Sequence, residues 1–208
     1  MTAKAPPQPP LTIGVLALQG AYDAHARTLT ALGAIPRLVR TPDDLDGLDG
    51  LIMPGGESTT MLKFLERNGF FDVLQTWVKS TPTFGTCAGA ILLANHVESP
   101  AQRSLAALDI TVERNAYGRQ IDSTILTAPT TLPGGPLEMV FIRAPRIRLA
   151  GPGVETLATR DGFPTLVRSG HLLAATFHPE LSADSRVHQL FLDIVRQHKT
   201  ASATKESQ

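Results

Sequence analysis

A chain of 208 residues, 42% of them hydrophobic, suits one globular domain with a substantial core. Nineteen Lys and Arg balance nineteen Asp and Glu without a basic cluster, which sets nucleic-acid binding aside, and a single cysteine excludes an internal disulfide framework or a multi-thiolate metal site. No apolar run approaches the roughly 20 residues needed to span a bilayer, so no membrane segment is expected.

Residues 1–10 hold four prolines and lack the apolar stretch of a secretory signal; a flexible tail and a cytoplasmic chain are expected. The run Ile13-Gly14-Val15-Leu16-Ala17-Leu18 is almost wholly apolar, as in a strand covered on both faces. Gln19-Gly20 ends it. Residues 21–32 read as a helix closed by Gly33, and residues 35–39 and 50–53 as two further strands, the last stopped by Pro54-Gly55-Gly56. Ser58 is placed to cap a helix reaching about Asn68, with Gly69 as its stop, and residues 70–79 continue helically. Thr83-Phe84 forms a strand leading into Gly85-Thr86-Cys87-Ala88-Gly89, and a helix follows from Ala90.

Strands alternating with helices predict an α/β fold with an open, mostly parallel central sheet flanked by helices. From about residue 105 the character changes. Short runs at 109–113, 123–127, 139–143, 156–159 and 165–168, separated by Gly/Pro-rich turns, predict partly antiparallel strands. A helix over 183–199 closes the chain, and the polar residues 200–208 read as a second flexible tail. Residues 11–199 thus form a single expected domain.

Three constellations carry chemistry. The first is Cys87, set between small residues after a strand and before a helix, the layout of a nucleophile elbow. The helix start aims free N–H groups at the sulfur and favours its thiolate form. The second is His178-Pro179-Glu180. Proline biases the residue before it toward extended geometry, where residues i and i+2 share a side, so the carboxylate can steady the imidazole. The third is Pro54-Gly55-Gly56-Glu57-Ser58, a strand end, glycine turn and helix start with free N–H groups. It lacks the Gly-Lys-Ser/Thr ending of a nucleotide loop, but the N–H of Gly56 with that of Ala88 would make an oxyanion hole. Arg114 and Arg143 each follow a strand-like run and could bind a carboxylate. His25, His96, His171, His188 and His198 show no ligand spacing and read as structural or solvated.

These residues resemble the class I, triad-type glutamine amidotransferases, and within them the glutaminase subunits of pyridoxal 5′-phosphate synthase. The narrow matches are Leu18-Gln19-Gly20, Pro54-Gly55-Gly56-Glu57-Ser58-Thr59-Thr60, Glu113-Arg114-Asn115 with Tyr117-Gly118-Arg119-Gln120, and Phe141-Ile142-Arg143-Ala144-Pro145. The elbow and His-Pro-Glu are shared more widely. The likeness runs from about Leu11 to His198.

The resemblance implies a flavodoxin-like amidotransferase fold and hydrolysis of L-glutamine to glutamate and ammonia, the ammonia passing to a separate synthase subunit. It implies Cys87 as nucleophile with His178 and Glu180 as its partners, and Gly56, Glu57, Ser58, Arg114, Ile142 and Arg143 as glutamine contacts. Gln19 would lie at the partner interface. No metal or organic cofactor is implied. Three other readings compete. One is a glutaminase serving another pathway, such as histidine or purine biosynthesis. A second is a small cysteine-dependent hydrolase of related fold, against which His-Pro-Glu argues. The third is a degenerate binding module, against which the intact triad argues.

Overall fold

Residues 9–116 and 123–206 are described in the computed structural model. Tyr117-Gly118-Arg119-Gln120, residues 1–8 of the first expected tail and 207–208 of the second lie outside them. The first half alternates as the pattern requires: β1 (Thr12–Leu16), α1 (Tyr22–Ala31), β2 (Ile35–Val39), β3 (Gly50–Met53), α2 (Ser58–Leu65), α3 (Phe70–Trp77), β4 (Thr83–Thr86) and α4 (Ala88–Leu93). The second half is strand-rich: β5 (Ala94–Glu98), β6 (Leu108–Glu113), β7 (Ser123–Ala128), β8 (Leu137–Ile142), β9 (Arg146–Ala150), β10 (Glu155–Arg160), β11 (Phe163–Ser169) and β12 (Leu172–Ala175). Helix α5 (Arg186–Glu206) ends the described chain.

Among the described residues the central sheet has seven strands in the order β10-β11-β12-β4-β3-β1-β2. From β12 to β2 every pairing is parallel, whereas β10, β11 and β12 pair antiparallel. Strands from both ends of the chain therefore build one sheet. The apolar strands are covered on both faces because their alternation feeds two cores. Leu51 and Met53 pack with Met61, Leu65, Phe71 and Ile91 of α2, α3 and α4, while Ile52 packs with Leu29 of α1 and with Phe191 and Val195 of α5. A three-stranded sheet, β5-β6-β9, and the β7-β8 hairpin are added at the side.

Several expected boundaries move. The helix after the glycine turn is capped by Glu57, whose side chain accepts from the N–H groups of Thr59 and Thr60, and not by Ser58. It ends at Leu65 rather than near Asn68; a 3-10 turn follows, and Gly69, at φ 71°, leads into α3. Helix α4 has only six residues and passes directly into β5, which the apolar run had hidden. The carbonyls of Leu92 and Leu93 accept from Leu105 and Ala107, so the helical ladder stops there. The C-terminal helix begins at Arg186 and runs past 199 to Glu206, through Ala201 and Ala203, with Thr200 and Thr204 hydroxyls bonded to carbonyls four residues back.

Candidate active site

Strand register decides which side chains meet. Ala175 at the end of β12 pairs with Thr86 at the end of β4, and Met53 at the end of β3 pairs with Gly85. The segments that follow these ends, carrying His178, Cys87 and Gly55, emerge together at the carboxyl edge of the parallel sheet. In open α/β folds this edge is where ligands bind.

Cys87 sits at the turn between β4 and α4 with φ 49° and ψ −103°, a conformation rarely taken by a residue with a side chain. Close packing holds it there. A methyl group on Gly89 would lie 2.0 Å from the Met53 carbonyl oxygen, so only glycine lets the helix start this near the strand. Ala88 is the first residue of α4, and its N–H has no acceptor within the helix. The cysteine is 6% exposed, more enclosed than an edge position suggests, but it is not isolated: a methyl group on Gly55 would meet both its Cβ and the His178 ring, with which it interacts electrostatically.

His178 and Glu180 do meet, though not through an extended segment. Pro179–Leu181 form a 3-10 turn, closed by the Leu181 N–H donating to His178 O at 3.2 Å. Proline's fixed φ suits the first position of such a turn. Within it His178 Nδ1 lies 2.7 Å from Glu180 Oε1, and the His178 N–H donates to Val140 O of β8 at 2.8 Å. With Nδ1 engaged by the carboxylate, Nε2 is left for the sulfur. Burial opposes a charge on this ring. Interactions with Cys87 and with Glu180 outweigh it and raise the pKa from 6.5 to about 10. The ring is therefore held as an imidazolium at neutral pH.

Behind Glu180 lies a polar group that the sequence reading classed as structural or solvated. His25 of α1 places Nε2 3.3 Å from Glu180 Oε2 and 3.2 Å from Thr86 Oγ1, and its Nδ1 is 2.9 Å from Nε2 of His188 on α5. His25, Thr86 and His188 are completely buried. Burial, then the neighbouring His188 and His178, push the His25 pKa well below 6.5, and burial lowers that of His188 to about 4. Both rings are neutral. The signal was present in the helical pattern: His25 lies four residues before buried Leu29, and His188 three before buried Phe191.

The glycine turn supplies the other wall. A methyl group on Gly55 would fall 2.3 Å from His178 Cε1 and 3.2 Å from Cys87 Cβ, so the bare backbone packs against both side chains. Gln19 reaches across from the end of β1, its Oε1 accepting from the Glu57 N–H at 2.9 Å and its amide resting against Gly56. The Glu57 carboxylate also takes the Thr59 hydroxyl and sits 3.8 Å from an Arg114 nitrogen. Its desolvation is outweighed by the hydrogen bonds from Thr59 and Thr60, which lower its pKa to about 2. Ser58 is buried and donates to Gln102 Oε1 at 3.0 Å. Arg114 Nε and Gln102 Nε2 are buried without hydrogen-bond partners among the described residues. Gln102 is a residue that sequence reasoning missed.

Ile142 ends β8, whose Val140 carbonyl accepts from the His178 N–H, and Arg143 follows it. Both are exposed, and Arg143 has a φ of 45°. Among the described residues no cluster of three or more His, Cys, Asp or Glu could hold a metal ion, and no helix is long and apolar enough to cross a membrane. The arrangement can deliver a sulfur nucleophile, a proton donor beside it and amide N–H groups for a developing oxyanion.

The SNO glutamine amidotransferase family matches residues 15–197. A protein of Koribacter versatilis named pyridoxal 5′-phosphate synthase subunit PdxT is 61% identical over 186 residues, covering 89% of this chain and 96% of that protein. One of the same name from Solibacter usitatus is 51% identical, covering 86% and 97%. A solved glutamine amidotransferase superposes with a TM-score of 0.82 at 45% identity, over 88% of this chain and 98% of that one. Another, from Thermotoga maritima, shares the fold at 13% identity with a TM-score of 0.57, over 92% and 86%.

Proposed function

We infer that this chain, which belongs to the SNO glutamine amidotransferase family, hydrolyses L-glutamine as the glutaminase subunit of pyridoxal 5′-phosphate synthase, feeding ammonia to a separate synthase subunit. What carries the site assignment is one arrangement: a ring held at 2.7 Å by Glu180 that packs with Cys87 against the bare backbone of Gly55.

In this reading the Cys87 sulfur attacks the side-chain amide carbon of glutamine. The oxygen that gains charge is taken by the N–H groups of Gly56 and Ala88; one such donor is usually worth about 10²–10³ in kcat. His178, already protonated, gives its proton to the leaving nitrogen, and ammonia departs from a γ-glutamyl thioester. The neutral imidazole then takes a proton from water, whose oxygen attacks the thioester and releases glutamate. Glu180 holds the ring in one orientation and balances its charge throughout.

Glu57, Ser58, Arg114, Ile142 and Arg143 bind the substrate. The Arg114 guanidinium suits the α-carboxylate, and Glu57, ionised above a pKa of about 2, suits the α-ammonium group. Gln19, already bonded to the Glu57 N–H, joins the partner face to the glycine turn. Residues from 11 through the C-terminal helix act as one glutaminase domain, and the chain works in the cytoplasm.

Glutamate release by the wild type and by Cys87→Ala, each with and without the synthase subunit, tests the reading. Activity should depend on the partner and vanish in the variant. A partner-loaded wild type that leaves glutamine intact would overturn it.

A further inference from the structure

The Glu180 side chain is fully buried, and its two oxygens are treated unequally. Oε1 meets His178 Nδ1 at 2.7 Å, whereas Oε2 has no hydrogen-bond partner among the described residues; the His25 Nε2 atom lies 3.3 Å away but is aligned on Thr86 Oγ1. A buried carboxylate oxygen without a donor is costly, so the nature of this neighbour matters.

The His188 ring fixes what His25 presents. The two share a 2.9 Å contact, Nδ1 of His25 to Nε2 of His188, in which one nitrogen must donate. If His25 Nδ1 donated, its Nε2 would be a bare lone pair facing a carboxylate, and His188 Nδ1 would be a buried N–H without an acceptor. In the opposite arrangement, His188 Nε2–H donates to His25 Nδ1, and His25 Nε2–H faces Thr86 Oγ1 and Glu180 Oε2. The atom then left unpaired is His188 Nδ1 as an acceptor, and unpaired acceptors are better tolerated than unpaired donors. Phe84 meets both rings edge-on, with interplanar angles of 86° and 85°, and restrains their rotation.

We propose that His25 is a positioning residue for the triad: held in its Nε2–H tautomer by His188 and directed at Thr86, it keeps the positive end of an N–H dipole 3.3 Å from the outer oxygen of Glu180, an electrostatic contact that leaves the inner oxygen on His178 Nδ1. The pair acts through Glu180 and touches neither substrate nor sulfur. This rests on the glutaminase reading only for its kinetic consequence, because the tautomer and the carboxylate contact belong to the resting chain.

Nitrogen-15 NMR of the histidines in the wild-type chain tests the tautomer directly. His25 should carry its proton on Nε2; a proton on Nδ1 overturns the proposal and needs no variant to fold. For the complex with its synthase subunit, His25→Leu should lower kcat by about 10- to 100-fold with KM for glutamine unchanged, the scale of loss from a slightly misplaced catalytic group. The His178 Nδ1–H resonance should move upfield in the same variant, and His25→Gln, which keeps an N–H near the carboxylate, should recover most of kcat. Wild-type kcat and an unmoved resonance in His25→Leu would sink the proposal, as would equal loss in the Leu and Gln variants without a change in that resonance. An inactive wild-type complex with the expected tautomer would instead refute the glutaminase reading.

Discussion

The Cys87 N–H donates to Ala175 O at 2.8 Å, tying the turn that carries Cys87 to the strand whose continuation carries His178 three residues later. The pairing of β4 with β12 is therefore what brings sulfur and imidazole together. It joins positions 88 residues apart through a backbone contact that any sequence can make, which is why spacing in the sequence does not reveal it.

The Gly55 backbone fills the space between these two residues. In Gly55→Ala the new methyl would overlap His178 Cε1 at 2.3 Å and Nδ1 at 2.9 Å, so the ring must shift. Glutaminase activity of the complex should fall by about 10² or more, since small displacements of a catalytic group cost that much. Steady-state kinetics beside a thermal melt would check it: kcat should drop far more than the melting temperature does. Activity near the wild-type level would show that the ring does not need its present place.

Removing the charge of Glu180 separates orientation from electrostatics. Glu180→Gln keeps the shape but takes away the negative charge that, with Cys87, raises the pKa of His178 to about 10. The ring should then titrate lower, and kcat should fall by about 10⁴, as when the acid of a comparable triad is neutralised. Titration of the His178 ring protons by NMR follows the first effect. An unchanged titration midpoint would mean that Cys87 alone supports the imidazolium.

The architecture was largely legible. Apolar β-branched runs and glycine stops located the parallel strands, because a strand buried on both faces leaves few alternatives. The elbow, the glycine turn and His-Pro-Glu each read locally, and the fold brings all three to one edge. What was hidden depended on distant partners. Strand β5 looked like the end of a helix because Ala94 continues an apolar run whose carbonyls pair with residues 105 and 107. Ser58 looked like a cap until the carboxylate of Glu57 took the same N–H groups. His25 and His188, 163 residues apart, look like unrelated histidines until α1 and α5 pack on the same side of β4.

Glu57 serves two purposes, and one substitution exposes both. Glu57→Ala removes the cap of α2, worth about 0.5–2 kcal/mol, and also the carboxylate beside Arg114. A modest loss of stability and a large rise in KM for glutamine are expected, with the rise in KM persisting in Glu57→Ser, which restores a capping oxygen. If Glu57→Ser regains wild-type KM, the residue acts only as a cap.

The buried histidines set an acid limit on stability. His25 and His188 resist protonation in the folded chain, with His188 at about 4 against 6.5 when unfolded. Above pH 6.5 both states hold these rings neutral, and the rings impose no pH dependence. As pH falls below 6.5 the unfolded chain binds protons that the folded chain refuses, so stability declines until the folded pKa is reached. For His188 alone the decline amounts to about 3 kcal/mol by pH 4, at about 1.4 kcal/mol per pH unit. His178 has the opposite sign: its raised pKa contributes stability that is complete below 6.5 and lost as pH rises through about 10. Urea unfolding at pH 4.5, 5.5 and 7 should give a steeper acid loss for the wild type than for His188→Leu. Parallel pH profiles for the two would place the His188 proton-binding equilibrium in the ordinary range and show that burial does not keep that ring neutral.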